Sequence, residues 1–226
     1  MTAAALAAAL RRVGHVQPHL PAAAVVLLAL VAACAVVPWL WPVTRHITVM
    51  AHEGAHATMA SATGSSVTAI RFTRLAEGET EVTAVGPLAS FGTTVIGYLG
   101  PSAFGVGAAA LIKAGYIVAV LWIGLAGLLL IMTVLRQSFG IISVIVAVVL
   151  LFGVAGFASV GVQVVAAYAL TWFLLVSAIR IITVRGRNAA DAGKLQGMTK
   201  IPAGFWSKLW LTASVVALIF GATLLV

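Results

Sequence analysis

Cysteine and acid are what this 226-residue chain has least of: one cysteine and five Asp or Glu. A lone Cys34 excludes an intramolecular disulfide and any cysteine-rich zinc site. Charged residues of both signs make up only 8% of the chain, against about a quarter in ordinary soluble domains. With 62% hydrophobic residues, that scarcity rules out a soluble globular enzyme and makes the protein an integral membrane protein. Thirteen basic residues leave a net charge of +8, but they form no surface interleaved with aromatics, so nucleic acid is not an expected partner. The charge reads instead as topology and as affinity for anionic lipid headgroups. A long linker, a low-complexity tail and a second soluble domain are also lacking. The expectation is one domain over 1–226, with a cytoplasmic N-terminal segment at 1–20, a hairpin at 66–85 and a cytoplasmic loop at 184–206.

What is present is a series of apolar runs. A helix rises about 1.5 Å per residue, so a bilayer core takes roughly 20 apolar residues. Runs of that order lie near 21–41, 44–64, 90–112, 115–135, 138–156, 158–182 and 207–226. They predict an all-α polytopic membrane protein with six to seven transmembrane helices and a short β-hairpin after the second. The first run follows Arg11 and Arg12 and contains Ala33-Cys34-Ala35, as a cleaved signal would. Its continuation into Pro38-Trp39-Leu40-Trp41-Pro42, an aromatic belt at the outer interface, favours an uncleaved anchor. With the N-terminus in the cytoplasm, every basic residue except Arg45 and Lys113 falls inside. That bias favours a cytoplasmic N-terminus, and the expected location is a bacterial cytoplasmic (inner) membrane.

In this setting His52-Glu53-Gly54-Ala55-His56 stands out. Residues i and i+4 share a helix face, so His52 and His56 can offer two imidazole nitrogens to one Zn²⁺, with Glu53 beside them as general base. Ionisable groups within a membrane segment are costly and mark function by default. A third ligand must come from a short list. Glu77, Glu79 and Glu81 crowd the hairpin, which is expected to turn near Gly78, and this leaves Asp191 in the 184–206 loop as the choice. His46, His15 and His19 rank below it, because a His₂-carboxylate set with an open position is a catalytic pattern for zinc. To reach the histidines, Asp191 has to dip towards the bilayer. Asn188, three residues before it, can orient a ligand carboxylate or a substrate carbonyl. Gly92, Gly97, Gly100, Gly105 and Gly107, with Pro87 and Pro101, suit close helix contact or irregular backbone beside the site.

The early HExxH helix, the hairpin, Gly97-Tyr98-Leu99-Gly100-Pro101, Asn188-Ala189-Ala190-Asp191-Ala192 and Ile201-Pro202-Ala203-Gly204-Phe205-Trp206 together resemble the site-2 protease family of intramembrane zinc metallopeptidases. More closely, they resemble its compact bacterial branch without a PDZ domain. The resemblance implies a zinc metalloendopeptidase of one Zn²⁺ that cuts membrane-embedded segments of transmembrane protein substrates, as in regulated intramembrane proteolysis. His52, His56 and Asp191 would hold the metal, and Glu53 would act on a zinc-activated water. Within the family's pattern, Asp191 departs in being followed by Ala192 before Gly193, without a preceding Asn-Pro. Two other readings stay open on sequence: a metal-cation transporter using the same side chains as a transit site, and a catalytically silent scaffold that retains the motif.

Overall fold

A computed structural model describes residues 3–72, 78–83, 86–185 and 189–226. The described helices are α1 (Ala3–Arg11), α2 (Ala22–Ala35), α3 (Trp41–Ala62), α4 (Pro87–Lys113), α5 (Ile117–Val134), α6 (Ser138–Phe157), α7 (Val160–Arg185), α8 (Ala190–Thr199) and α9 (Ala203–Leu225). Strands β1 (Ser66–Phe72) and β2 (Gly78–Thr83) form one antiparallel hairpin between α3 and α4. Helices α4, α5, α6, α7 and α9 are long and apolar enough to cross a membrane, and α2 is a shorter apolar helix. The expected all-α polytopic architecture with a small hairpin is therefore what the chain adopts.

Glycine sets how closely the long helices approach. A methyl group on Gly105 of α4 would lie 2.8 Å from the Leu175 side chain of α7, and one on Gly221 of α9 would lie 2.6 Å from the same side chain. Leu175 is fully buried between them. In lipid, where tails are as apolar as leucine, such small-residue contacts replace the hydrophobic effect as the source of helix association. Polar contacts add to them: Ser102 Oγ donates to Ser214 Oγ at 3.0 Å, and Trp210 Nε1 donates to the Val95 carbonyl at 3.0 Å, both joining α4 to α9. Gly92 makes only ordinary contact and Gly107 faces open space, so only some of the glycine series serves close packing.

Three expectations need correction. The first run does not remain helical to residue 41. Helix α2 ends at Ala35, a turn follows over 36–40 that Thr44 closes by donating to the Ala35 carbonyl at 2.7 Å, and Trp41 packs inside the protein instead of in an outer belt. The run at 44–64 is not a crossing of its own. Arg45, near the start of α3, shares a small cavity with Val184 and Arg185 at the end of α7, and His46 stacks obliquely on Phe139 at the start of α6. At the other end of α3, β1 joins the α5–α6 connection, where the Arg136 N–H donates to the Ile70 carbonyl. Both ends of α3 thus lie at the α5–α6 end of the bundle. The physical reason is legible in its composition: Arg45, His46, His52, Glu53 and His56 make it too polar to count among the apolar spans.

The third correction follows from the second. Gln17 accepts a bond from the Val118 N–H at 2.9 Å, its own N–H donates to the Gly115 carbonyl at 2.9 Å, and His19 Nδ1 lies 3.1 Å from the Tyr168 hydroxyl. Gly115 adopts φ 85° to make this turn. The segment at 15–19 therefore sits at the α4–α5 end, a bundle length away from the hairpin and α8. The expectation that 1–20 and 184–206 share a side does not fit this placement, which sets residues 15–19 and α8 at opposite ends of the long helices.

Candidate metal centre

Helix α3 presents His52 and His56 on one face, one turn apart, as their spacing requires. Their Nε2 atoms are 3.2 Å apart. Helix α8 begins at Ala190, and Asp191 in its first turn sends Oδ2 to within 3.2 Å of His52 Nε2 and 3.3 Å of His56 Nε2. Asp191, Ala192 and Leu195 form the buried face of α8, so the helix turns its acid inwards and leaves Lys194 exposed, 3.7 Å from Asp191 Oδ1.

The imidazoles are oriented from behind. His56 Nδ1 donates to the Thr93 carbonyl of α4 at 2.6 Å, which leaves its Nε2 as a lone pair aimed at the Asp191 carboxylate. Two acceptors at 3.3 Å need a positive charge between them. Among the described residues His52 Nδ1 is buried without a hydrogen-bond partner, and its ring packs edge-on against Tyr98 at 4.5 Å between centroids. Tyr98 in turn stacks on Trp210 of α9 at 4.7 Å. The rings can lie this close to α4 because Gly97 has no side chain: a methyl there would overlap His56 and come within 2.8 Å of His52 Cε1. About one turn further along α4, Gly100 makes the same allowance for Ala51 and Ala55, and Pro101 after it cannot donate to the Gly97 carbonyl.

The triangle of donor atoms, with edges of 3.2, 3.2 and 3.3 Å, suits a metal ion. Donors about 2.0–2.1 Å from a tetrahedral zinc are separated by roughly 3.3 Å. The pairing of a ligand histidine with a backbone carbonyl, seen at His56 and Thr93, is the usual support of such a ligand. Glu53 could compete for the third position, since His52, Glu53 and His56 also form a buried group whose ligand atoms lie within 4.8 Å of one another. The distances favour Asp191. Glu53 Oε1 stands 3.8 Å from His52 Nε2, and its Oε2 accepts a bond from Thr80 Oγ1 of β2 at 2.6 Å.

These residues line a cavity of about 950 Å³ that also meets the hairpin, the α5–α6 connection and the end of α7, with Arg71, Arg136, Arg185 and Lys194 among its walls. His52 and His56 meet α4 ten residues from its start, about 15 Å along the helix, so the centre lies in the half of the bundle nearer the hairpin. Gly78 is not the hairpin turn but the first residue of β2, paired with Phe72; the turn falls outside the described residues, as do Glu77 and Asn188. Glu79 and Glu81 belong to β2, where Glu81 forms an ion pair with Arg71. His46, His15 and His19 all lie away from the cluster, among the side chains of other elements. Thr80, Thr93, Tyr98 and Trp210 escaped the sequence reading as site residues, although Thr93 precedes Gly97 by one helical turn on the face that α3 covers.

A family model described as Peptidase M50B-like matches residues 22–221. Neither the characterised proteins nor the solved structures include a match to the chain.

Proposed function

The chain belongs to the Peptidase M50B-like family, and from that premise we propose that it is an intramembrane zinc metalloendopeptidase that hydrolyses peptide bonds of transmembrane protein substrates. The observation that carries this reading is the meeting of His52 Nε2, His56 Nε2 and Asp191 Oδ2 within 3.3 Å beside a buried glutamate. These three side chains are the ligands and Glu53 is the general base. A zinc ion held there supplies a Lewis acid for the scissile carbonyl and an acidified water at neutral pH.

The protein's own groups do the rest. Glu53 takes the proton of the attacking water and passes it to the departing amine as the C–N bond breaks. His56 keeps its Nε2 lone pair turned inwards because Thr93 holds its Nδ1–H. A transmembrane substrate must lose helix before its carbonyls are exposed. β2 offers the means: β1 covers one of its edges, no strand covers the other among the described residues, and its residues 78–80 and 82 line the cavity. An extended substrate segment can add there as a third strand.

Sidedness follows from charge. Arg45, Arg71, Arg136, Arg185 and Lys194 lie at the hairpin end, against Arg11, Arg12 and Lys113 at the other, so the hairpin end faces the cytoplasm of a bacterial cell and the 15–19 segment faces out.

The test uses purified protein, elemental analysis and hydrolysis of fluorescein-labelled casein in detergent. Glu53→Gln should keep one zinc per chain and lose activity by about 10²–10⁴-fold. His56→Ala and Asp191→Asn should lose zinc as well. Metal-free wild type, or a Glu53→Gln protein as active as wild type, would refute the reading.

A further inference from the structure

The tightest contact of the candidate centre outside its ligands lies between β2 and Glu53. Glu53 is only 2% exposed. Thr80 Oγ1 donates to Glu53 Oε2 at 2.6 Å and stands 3.4 Å from the Glu53 backbone carbonyl. Two residues earlier, on the same face of the strand, a methyl on Gly78 would overlap Glu53 Oε1 and come within 2.6 Å of its Cδ and Cγ, so Gly78 borders the free oxygen while Thr80 holds the other. The alternate residues have other tasks: Glu81 pairs with Arg71, and Glu79 is exposed. β2 thus meets the carboxylate with one vacant position and one hydroxyl, and nothing larger would fit at the first.

This contact divides the two oxygens of Glu53. Oε2 is held by the hydroxyl, while Oε1 is turned to the ligand cluster, 3.8 Å from His52 Nε2. Taking the peptidase reading as its basis, we infer that Thr80 is a positioning residue for the general base. Its hydroxyl fixes the carboxylate rotamer so that Oε1 faces the reacting water, and Gly78 provides the room for that rotamer. The base is therefore assembled from two elements, α3 for the side chain and the hairpin for its orientation. A hydrogen bond to a charged group of this kind corresponds to about 10- to 100-fold in rate when it holds a reacting atom in place.

The experiment has two arms. In a Cys34→Ala background, Glu53→Cys with Gly78→Cys should cross-link under mild oxidation, and Glu53→Cys with Glu79→Cys should not; this arm reads the packing and needs no activity. In the second arm, Thr80→Val should lower kcat on fluorescein-labelled casein by about 10- to 100-fold with KM within about threefold and the zinc content of wild type, and Thr80→Ser should restore kcat to within about threefold. An active wild type with an unimpaired Thr80→Val variant, or a Ser variant as slow as Val, overturns the positioning role alone. The expected Glu53→Cys/Gly78→Cys cross-link together with a wild type that hydrolyses nothing overturns the peptidase reading and the catalytic role with it, and absence of the Gly78 cross-link overturns the packing on which the role stands.

Discussion

Replacing Gly97 by alanine puts a methyl group between α4 and the two histidines, and the structure fixes how much must give. The added carbon would overlap the His56 ring and stand 2.8 Å from His52 Cε1. Ordinary contact begins near 3.4 Å, so the His52 ring alone has to retreat by roughly 0.6 Å, some three times the deviation of about 0.2 Å that metal–ligand distances tolerate. The same ring also packs edge-on against Tyr98, itself stacked on Trp210, so it is held on more than one side. Changes behind a ligand histidine cost about 10- to 100-fold in metal affinity, and a direct displacement of both rings belongs at or above the top of that range. Competition with a chromophoric chelator reads the zinc affinity without any substrate. Gly107→Ala, where nothing lies within 4 Å of the added methyl, is the matched control and should keep wild-type affinity while adding slightly to helix stability. A Gly97→Ala protein that binds zinc as tightly as the control would refute the geometry drawn for the site.

Two more outcomes follow from the placement of α8 and of the N-terminal segment. Chelation of the metal should raise hydrogen exchange over 190–199 and leave 117–134 unchanged, since Asp191 ties α8 to the centre while α5 is held by its own packing; equal protection in both states would count against Asp191 as a ligand. In sealed vesicles of a Cys34→Ala background, His15→Cys and Met198→Cys should react with an impermeant maleimide from opposite faces, and labelling of both from one face would reject the placement of these segments at opposite ends of the bundle.

The chemistry of the site was more legible in the sequence than the path of the chain around it. His52 and His56 are linked by a local rule, the helical period, and Asp191 stood out because acids are so few that hardly another was available to join them. The hairpin showed in its alternation, yet Gly78 looked like a turn because glycine serves turns and close approaches equally, and only the position of Glu53 from another element distinguishes the two. The same limit hid Thr80 and Thr93, whose roles are to donate to and accept from α3, partners set by tertiary contact. Counting apolar residues also misread α3. A run of sufficient length predicts a span when nothing else is known, but the charged and imidazole groups of α3 carry a cost in lipid that is avoided by keeping both its ends near one end of the bundle.

Across the hairpin, one rung of the ladder has a mechanical meaning. Leu135, on the connection between α5 and α6, bridges Ile70; Ile70 is the register partner of Thr80; and Thr80 holds the carboxylate of Glu53. Four residues from three regions of the chain therefore lie in one transverse line, with a loop at one end and a proton acceptor at the other. A shift of that loop would reach the Glu53 carboxylate through Ile70 and Thr80, whereas His56 is held from α4 by Thr93 and Asp191 rests on α8. The loop is in this sense a handle on the proposed base from a side of the site that the proposed ligands do not share.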